Sequence, residues 1–284
     1  MKQSIPTFVK WAGGKRQLIR QLGEYFPSQI DRYFEPFVGG GAVAFYVTRK
    51  YCPREVYLSD SNEDLINVYQ VVQANVGELI ELLMEYEQRH SKNTYYEVRD
   101  ESTLSLSHIK RAARFIYLNR TCFNGLYRVN SRGKFNVPIG RYPNPKICQK
   151  AALEEASELL QGVEIYKKSF EWVLDEAEAG DFIYFDPPYH PLSKTSKFTQ
   201  YTTGNFPEPK QEQLAVVFIE LDRSKCKIML SNSCTPFIIE LYSDYRNTIH
   251  TVKARRSINC NAKGRNPIDE LVITNYPPPH LKVD

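Results

Sequence analysis

The chain has 284 residues, and its 37 Lys and Arg against 33 Asp and Glu give a formal net charge of +4. With 42% hydrophobic and 25% charged residues, its composition is that of a globular protein and excludes collagen-like, low-complexity and wholly disordered chains. No apolar run approaches the roughly 18–20 residues that cross a bilayer, and the first residues lack the apolar stretch of a secretory signal. We therefore expect a cytoplasmic protein without a membrane partner.

The six cysteines form neither a C-x-x-C pair nor a cluster with histidine at the spacing of metal ligands. They are Cys52, Cys122, Cys148, Cys226, Cys234 and Cys260. A chain of this length can bury a core that needs no disulfides, so we expect reduced thiols and no metal centre.

Strands and helices alternate at both ends of the chain, which predicts an α/β fold with a doubly wound sheet. Strands are predicted at Arg32–Phe37, Val56–Leu58, Asp181–Asp186, Lys227–Leu230, Ile249–Val252 and Glu270–Thr274. Helices are predicted over Ala42–Arg49 and Ile109–Leu118, and as one long helical pattern that Asn62 caps and that continues through Leu83.

The middle of the chain has a different character and reads as an insertion. Residues 102–153 contain ten basic residues and no acidic one, and residues 245–267 contain six basic residues and no acidic one. Between Leu126 and Pro138 the pattern predicts a polar hairpin with Gly133 in its turn. Because uncompensated positive charge is stabilised by a polyanion, we expect these segments to bind nucleic acid.

A glycine-rich turn links the first predicted strand to the first predicted helix, at Phe37–Ala42. Gly39 and Gly41 let the backbone approach a ligand closely, beside the N–H groups of a helix start. Asp60 ends the next strand, about 20 residues on, where a carboxylate can accept hydrogen bonds from ribose hydroxyls. With Ala44 these glycines also fit the loose dinucleotide pattern, so the residues alone indicate a ribose-bearing cofactor without identifying it.

Asp186, Pro187, Pro188 and Tyr189 follow an apolar strand, at the edge where open α/β sheets bind ligands. The exocyclic amine of a nucleobase is a poor nucleophile because its lone pair is delocalised into the ring. The Asp186 carboxylate and the Pro187 carbonyl could accept its two N–H groups and expose that lone pair. Tyr189 could stack on a base taken out of the helix. The structural alternative is a strand-ending turn with a buried tyrosine.

These motifs together resemble those of the Dam-type, alpha-class DNA adenine-N6 methyltransferases, over nearly the whole chain. Lys10–Lys15 is similar to that family's N-terminal cofactor motif, Phe34–Gly41 to its methionine-loop motif, Ser59–Leu65 to its ribose motif and Asp186–Tyr189 to its catalytic motif. The resemblance implies methyl transfer from S-adenosylmethionine to N6 of adenine in double-stranded DNA. The implied cofactor contacts are Trp11, Lys15, Phe37, Gly39, Gly41, Asp60, Phe170 and Asp186. The implied catalytic residues are Asp186, Pro187 and Tyr189.

The middle segment resembles the DNA-reading hairpin of enzymes that methylate adenine in GATC, over residues 119–130 and 133–142. A two-stranded ribbon fits the major groove, where arginine can bond guanine O6 and N7 together. The resemblance implies that Arg128 makes this contact.

Further DNA contacts are implied by the same resemblance. Asn124 and Pro138 would touch neighbouring bases, and Lys10 would reach an outer guanine. Phe123 stands where some relatives have a tyrosine that wedges into the base stack. The phosphate contacts would come from Arg120, Arg132, Lys134, Arg141, Arg255 and Arg256, and Tyr142 belongs to the same DNA-binding set.

The order of the motifs predicts a discontinuous catalytic domain, formed by residues 1–61 and 165–276, around a target-recognition domain at 62–164. Residues 277–284 would form a C-terminal tail, and residues 193–203 a loop over the active site. We expect no obligatory protein partner. Three alternatives remain open: a methyltransferase acting on RNA or another nucleobase amine, a non-catalytic DNA-binding module, and a nicotinamide oxidoreductase.

Overall fold

The fold is built on one mixed β-sheet flanked by helices. A computed structural model describes residues 5–130, 132–192, 206–254 and 268–279. The strands of this sheet are β1 (Arg32–Glu35), β2 (Glu55–Asp60), β3 (Glu164–Lys167), β4 (Phe182–Phe185), β5 (Lys227–Ser233), β6 (Ile249–Ala254) and β7 (Ile268–Thr274). The α-helices are α1 (Ile19–Leu22), α2 (Ala42–Tyr51), α3 (Glu63–Ala74), α4 (Val76–Gln88), α5 (Lys92–Asp100), α6 (His108–Thr121), α7 (Lys150–Leu159), α8 (Val173–Glu176), α9 (Glu208–Arg223) and α10 (Pro236–Leu241).

The seven strands are ordered β3-β2-β1-β4-β5-β7-β6. Strands β1 to β5 pair in parallel, and β7 inserts antiparallel between β5 and β6. The strand order reverses between β1 and β4, and ligands of doubly wound sheets bind at the carboxyl ends of strands beside such a point. The predicted α/β class is confirmed. Strand β3 was not predicted, because it is a short edge strand in which only Ile165 is buried.

Two hydrophobic cores lie on opposite faces of the sheet, and β4 shows how one strand serves both. Phe182 and Tyr184 point into the core beneath α2 to α7, whereas Ile183 and Phe185 point into the core beneath α9 and α10. All four side chains are buried because successive residues of a strand face opposite sides. The strand therefore fixes the position of the turn that follows it.

The long helix predicted after Asn62 is wrong, because the structure divides it into α3 and α4. The predicted cap is confirmed: the Asn62 side chain accepts a hydrogen bond from the Leu65 amide at 3.1 Å. At Asn75 the backbone leaves helical geometry, with φ −136° and ψ 36°. Asparagine favours such breaks because its side chain competes for backbone hydrogen bonds. The sequence suggested one helix because α3 and α4 each bury one face, so that the helical spacing of apolar residues continues across the break.

The predicted hairpin is confirmed as an irregular one, with isolated bridges between Val129 and Phe135 and between Cys122 and Ile139 instead of two regular strands. Next to the first bridge, the Asn130 amide donates to the Lys134 carbonyl at 2.9 Å. Gly133 has φ +73°, as its predicted place in the turn requires. The predicted basic helix is present as α6 and packs against α3, α4 and α5.

None of the helices in the described part of the chain is both long and apolar enough to cross a membrane. Three predictions lie wholly or partly outside the described residues: the loop at 193–203, the contacts of Arg255 and Arg256, and the end of the tail beyond residue 279.

Candidate active site

A cavity of about 600 Å³ opens at the carboxyl ends of β1, β2 and β4. Segments that are far apart in the sequence form its wall, among them residues 10–15, the glycine turn, residues 60–62, residues 125–127, residues 168–170 and the turn after β4. All of the predicted cofactor contacts line it: Trp11, Lys15, Phe37, Gly39, Gly41, Asp60, Phe170 and Asp186. The fold therefore brings together residues that the sequence suggested separately.

The glycine turn has a backbone conformation that only glycine adopts easily. Gly39 has φ +47° and Gly41 has φ +71°. A Cβ atom on Gly39 would lie 2.8 Å from the Trp11 ring, and one on Gly41 would lie 2.5 Å from the Tyr69 hydroxyl. Tyr69, on α3, donates a hydrogen bond to the Gly39 carbonyl at 3.0 Å and so helps to fix the turn.

Asp60 is held by the backbone on both of its carboxylate oxygens. The Gly39 amide donates to Oδ2 at 3.2 Å, and the Asn62 amide donates to Oδ1 at 2.9 Å. Burial raises the pKa of Asp60, while these backbone donors oppose the shift. A carboxylate fixed at the end of β2 retains lone pairs that can accept hydrogen bonds from ribose hydroxyls.

An aromatic cluster lines another part of the cavity. Phe37 stacks on Phe170 with ring centroids 5.5 Å apart, and Phe206 meets both rings at an angle. The cavity thus combines aromatic faces, a fixed carboxylate and a closely approachable backbone. These features fit an adenosine-containing ligand, including S-adenosylmethionine.

Asp186 lies at the mouth of the cavity and is paired with Lys15. The Lys15 ammonium is 2.7 Å from Asp186 Oδ1 and also donates to the Gly13 carbonyl at 2.8 Å. Only 4% of Lys15 is exposed, so the pair is protected from water. Burial raises the pKa of Asp186, and the Lys15 ammonium opposes this shift.

The backbone after Asp186 is held by a buried polar network that was not predicted. Gln211 donates to the Pro188 carbonyl at 2.9 Å, and Asn232 donates to Gln211 at 3.0 Å. Among the described residues, no donor is bonded to the Pro187 carbonyl. The turn therefore presents two acceptors, the Asp186 carboxylate and this carbonyl, on a backbone that its neighbours hold in place.

Two further acids close to Asp186 were missed. Glu35 is buried, accepts a hydrogen bond from the Tyr33 hydroxyl at 2.7 Å, and has a pKa that burial raises well above the usual range. Glu270 accepts a hydrogen bond from the Tyr189 hydroxyl at 2.8 Å. Glu35 lies two residues before the glycine turn, and this position could have indicated that it belongs to the site. Glu270 is far from Tyr189 in the sequence, so no local pattern could have indicated their contact.

The hairpin carries the predicted base-reading residues on one structural unit. The Arg128 guanidinium donates through Nε to the Asn136 side chain at 2.8 Å, which fixes its direction. Phe123 is 49% exposed, and Asn124 beside it has φ +56°. Pro138 is exposed, and its carbonyl accepts a hydrogen bond from the Phe123 amide at 2.9 Å.

Lys10 joins the cavity to the hairpin. Its ammonium lies 4.1 Å from the centroid of the Tyr142 ring and donates to the Arg120 carbonyl at 3.2 Å. Its backbone exchanges two hydrogen bonds with the Asn119 side chain, at 2.7 and 2.8 Å. Trp11 stacks on Tyr127, with centroids 6.3 Å apart. Lys10 and Trp11 therefore line the cavity and contact the hairpin segment at the same time.

The four predicted phosphate contacts that the structure describes divide into two groups. Arg132, Lys134 and Arg141 are exposed, as that role requires. Arg120 differs, because it is only 8% exposed and its Nε and one terminal nitrogen are buried without a hydrogen-bond partner among the described residues, so this surface does not present it to a phosphate. Burial lowers the pKa of Arg120.

The basic middle segment is also less of a continuous surface than its sequence suggested. Arg111 pairs with Asp64 at 2.8 Å. Arg114 is buried and donates to the carbonyls of Val98 and Arg99. These two cations satisfy groups inside the helical layer and leave the hairpin as the main basic feature of the described segment.

The sequence of the chain is similar to those of adenine-specific DNA methyltransferases. The family model described as D12 class N6 adenine-specific DNA methyltransferase matches residues 11–258. The chain is 45% identical to the Type II methyltransferase M.MjaIII of Methanocaldococcus jannaschii, covering 96% of this chain and 99% of that protein. It is 42% identical to the Type II methyltransferase M1.LlaDCHI of Lactococcus lactis subsp. cremoris, covering 97% of each. It is 36% identical to the DNA adenine methylase of Escherichia coli K12, covering 95% of each.

Proposed function

Since the chain belongs to the D12 class of N6 adenine-specific DNA methyltransferases, we propose that it moves a methyl group from S-adenosylmethionine to a flipped-out adenine in GATC. The membership decides against the RNA methyltransferase, the non-catalytic DNA-binding module and the nicotinamide oxidoreductase. The cofactor, the GATC sequence and the base flipping are our proposals. The observation that carries the proposed transfer is the pair of acceptors on the fixed turn after β4, which lines a cavity suited to an adenosine-containing ligand. GATC is proposed from the resemblance of the hairpin residues.

Cofactor binding is assigned to the residues that line the cavity. Asp60 would accept hydrogen bonds from the ribose hydroxyls, and Phe37 with Phe170 would lie against the adenine ring. The glycine turn would let the backbone approach the amino-acid end. When bound, S-adenosylmethionine supplies an electrophilic methyl group on a sulfonium sulfur.

The turn after β4 activates the target amine. The Asp186 carboxylate and the Pro187 carbonyl accept the two N–H groups of the adenine N6, which draws the nitrogen toward tetrahedral geometry and frees its lone pair. The negative charge of Asp186 also stabilises the positive charge that N6 develops as it is methylated. Tyr189 offers an aromatic face to the extrahelical base, and such stacking contributes about 1–3 kcal/mol per base.

Target recognition is assigned to residues 62–164, which carry the hairpin, and catalysis to residues 1–61 and 165–276. Arg128 would read a guanine in the major groove with its terminal nitrogens, one of which would give up its long 3.5 Å bond to the Asn136 carbonyl, while Nε stays bonded to the Asn136 side chain. Phe123 is exposed and apolar, so it suits insertion into the gap that a flipped base leaves. Arg132, Lys134 and Arg141 would hold phosphates and fix the register of the hairpin on the duplex.

The proposed specificity is tested by methylating a random-sequence duplex library and mapping every modified adenine. The expected result is N6-methyladenine confined to GATC. Modification at another fixed sequence would contradict the assignment of GATC while leaving the chemistry intact. For base flipping, 2-aminopurine is placed at the target position, and its fluorescence should rise when the enzyme and the cofactor analogue sinefungin are added. An unchanged signal in a bound complex would contradict flipping.

A further inference from the structure

Glu270 is an acid beside the active site to which the chemistry above gives no role. It lies on β7, paired in register with Ser233 at the end of β5. Ser233 in turn donates to the carbonyl of His190, the residue after Tyr189, at 2.6 Å. The sheet therefore places the Glu270 carboxylate next to the segment that carries the catalytic turn.

The only hydrogen bond to the Glu270 carboxylate from a described residue comes from the Tyr189 hydroxyl, at 2.8 Å. A carboxylate at this position is electrostatically unfavourable beside Asp186, whose pKa the charge of Glu270 raises. A neutral acceptor, or an apolar residue, would avoid that repulsion. Because the carboxylate accepts from no other described donor, the role that this contact leaves to Glu270 is to supply an acceptor oxygen to the Tyr189 hydroxyl.

Glu270 and Lys15 restrain the Tyr189 ring in complementary ways. The phenolic oxygen lies on the axis about which the ring turns, so the bond to Glu270 fixes where the ring points but leaves its plane free. The Lys15 ammonium lies 4.6 Å from the ring centroid and favours one plane. Because Lys15 occupies one face, an aromatic partner would have to stack on the opposite face.

We propose that Glu270 is a positioning residue that holds Tyr189, through its hydroxyl, in the orientation in which the target adenine stacks on the ring. The inference rests on the proposed function, because it assumes that Tyr189 stacks on that base. Glu270 itself touches neither the base nor the cofactor in this assignment. It acts on the reaction only through the tyrosine.

The test is a double-mutant cycle read as steady-state kcat on duplex DNA with labelled S-adenosylmethionine. Glu270→Ala removes the acceptor, Tyr189→Phe removes the donor, and the double variant removes both. Glu270→Gln keeps an acceptor oxygen while it removes the charge. Tyr245→Phe is the matched control, because its hydroxyl also donates to a carboxylate at 2.8 Å, on Asp222, away from the cavity.

Glu270→Ala and Tyr189→Phe should each lower kcat about tenfold, the effect of losing one hydrogen bond to a charged group. The double variant should be no slower than either single one, since both remove the same bond. The KM for S-adenosylmethionine should stay unchanged in these variants. The kcat of Glu270→Gln should remain within about threefold of the wild-type value, and the kcat of Tyr245→Phe should equal the wild-type value.

The proposal is overturned if Glu270→Ala keeps the wild-type kcat, if the two single effects multiply, or if Glu270→Gln is as slow as Glu270→Ala. Should Glu270→Ala fail to fold, Glu270→Gln and Tyr189→Phe decide alone: a wild-type kcat in Tyr189→Phe overturns the proposal. A wild-type enzyme that transfers no methyl group to DNA would instead contradict the proposed function, so the two failures are distinguishable.

Discussion

The Asp186 carboxylate lies between a cation and other acids, and its charge state depends on the balance among them. Lys15 contacts it at 2.7 Å and favours the ionised form. Burial has the largest effect and raises its pKa, and the negative charge of Glu270 raises it further. Burial and Glu270 thus favour the protonated form and Lys15 the ionised one, and a raised pKa makes the ionised carboxylate a better proton acceptor than an exposed one.

Asp186→Asn should lower kcat by about 10²- to 10³-fold, because an amide keeps the shape but loses the charge and presents N–H groups to the target amine. Binding of S-adenosylmethionine should weaken by less than about tenfold, since most of the cavity is untouched. Single-turnover methyl transfer and calorimetric titration measure the two effects. Asp175→Asn, on an exposed residue of α8, is the control. A wild-type rate in Asp186→Asn would refute the acceptor role.

The acid limb of the pH profile follows from the direction of the Asp186 shift. The ionised carboxylate is the active form, so activity rises as pH passes upward through its pKa. Because burial raises that pKa, the limb should lie above pH 4, the ordinary range of an aspartate. Glu270→Gln removes a nearby negative charge and should move the limb to lower pH. Profiles of kcat/KM for both enzymes test this, and a shift to higher pH in the variant would contradict it.

At the scale of secondary-structure elements, the site depends on how strands end and helices begin. The glycine turn converts the end of β1 into the start of α2, and the positive φ of Gly41 makes that junction tight. The buried amides of Gln211 on α9 and Asn232 on β5 hold the turn after β4. The glycine turn and these hydrogen bonds therefore fix the backbone of the site through residues that do not themselves react.

Gly41→Ala should destabilise the fold by about 1–3 kcal/mol, because alanine is strained at positive φ and its Cβ would clash with the Tyr69 hydroxyl. It should also weaken cofactor binding. Gly77→Ala is the matched control: it lies in α4, where a Cβ meets nothing within 4 Å, and should stabilise by about 0.5–1 kcal/mol. Urea unfolding with and without S-adenosylmethionine measures both, and equal stability of the two variants would contradict the account.

Two substitutions in the hairpin should distinguish base recognition from overall affinity for DNA. Arg128→Ala should lose about 1–3 kcal/mol of discrimination at one base pair of the site. Arg132→Ala, on the exposed turn of the same hairpin, should weaken binding to all sequences equally and lower the slope of log affinity against log salt by about 1. Competition binding with single-base variants of the site measures both. Unchanged discrimination in Arg128→Ala would remove its assignment as a base reader.

At the scale of the whole molecule, the sequence was most informative where local pattern and chemistry coincide. The Asn62 cap, the Gly133 turn and the strands leading into the glycine turn and Asp186 could be predicted, because each depends on neighbours in the chain. The residues that line the cavity came partly from such patterns and partly from the resemblance of the motifs. Strand β3 was missed because its stability comes from pairing with β2 and not from its own composition.

The interactions that could not be predicted join distant parts of the chain. Glu270 is 81 positions from Tyr189, and Gln211 is 23 positions from Pro188, so neither had a local signal. Arg120 was assigned to the DNA backbone from the resemblance and its charge, whereas the packing of α6 buries it. Charge in a sequence therefore indicated the binding segment but not which of its cations face outward.

The most direct measurement supplies the purified protein with methyl-labelled S-adenosylmethionine and duplex DNA, then digests the DNA to nucleosides and identifies the labelled product. We predict label in N6-methyladenine, and much less when structured RNA replaces the duplex. Label in a cytosine product, or no label in DNA at saturating cofactor, would contradict the account.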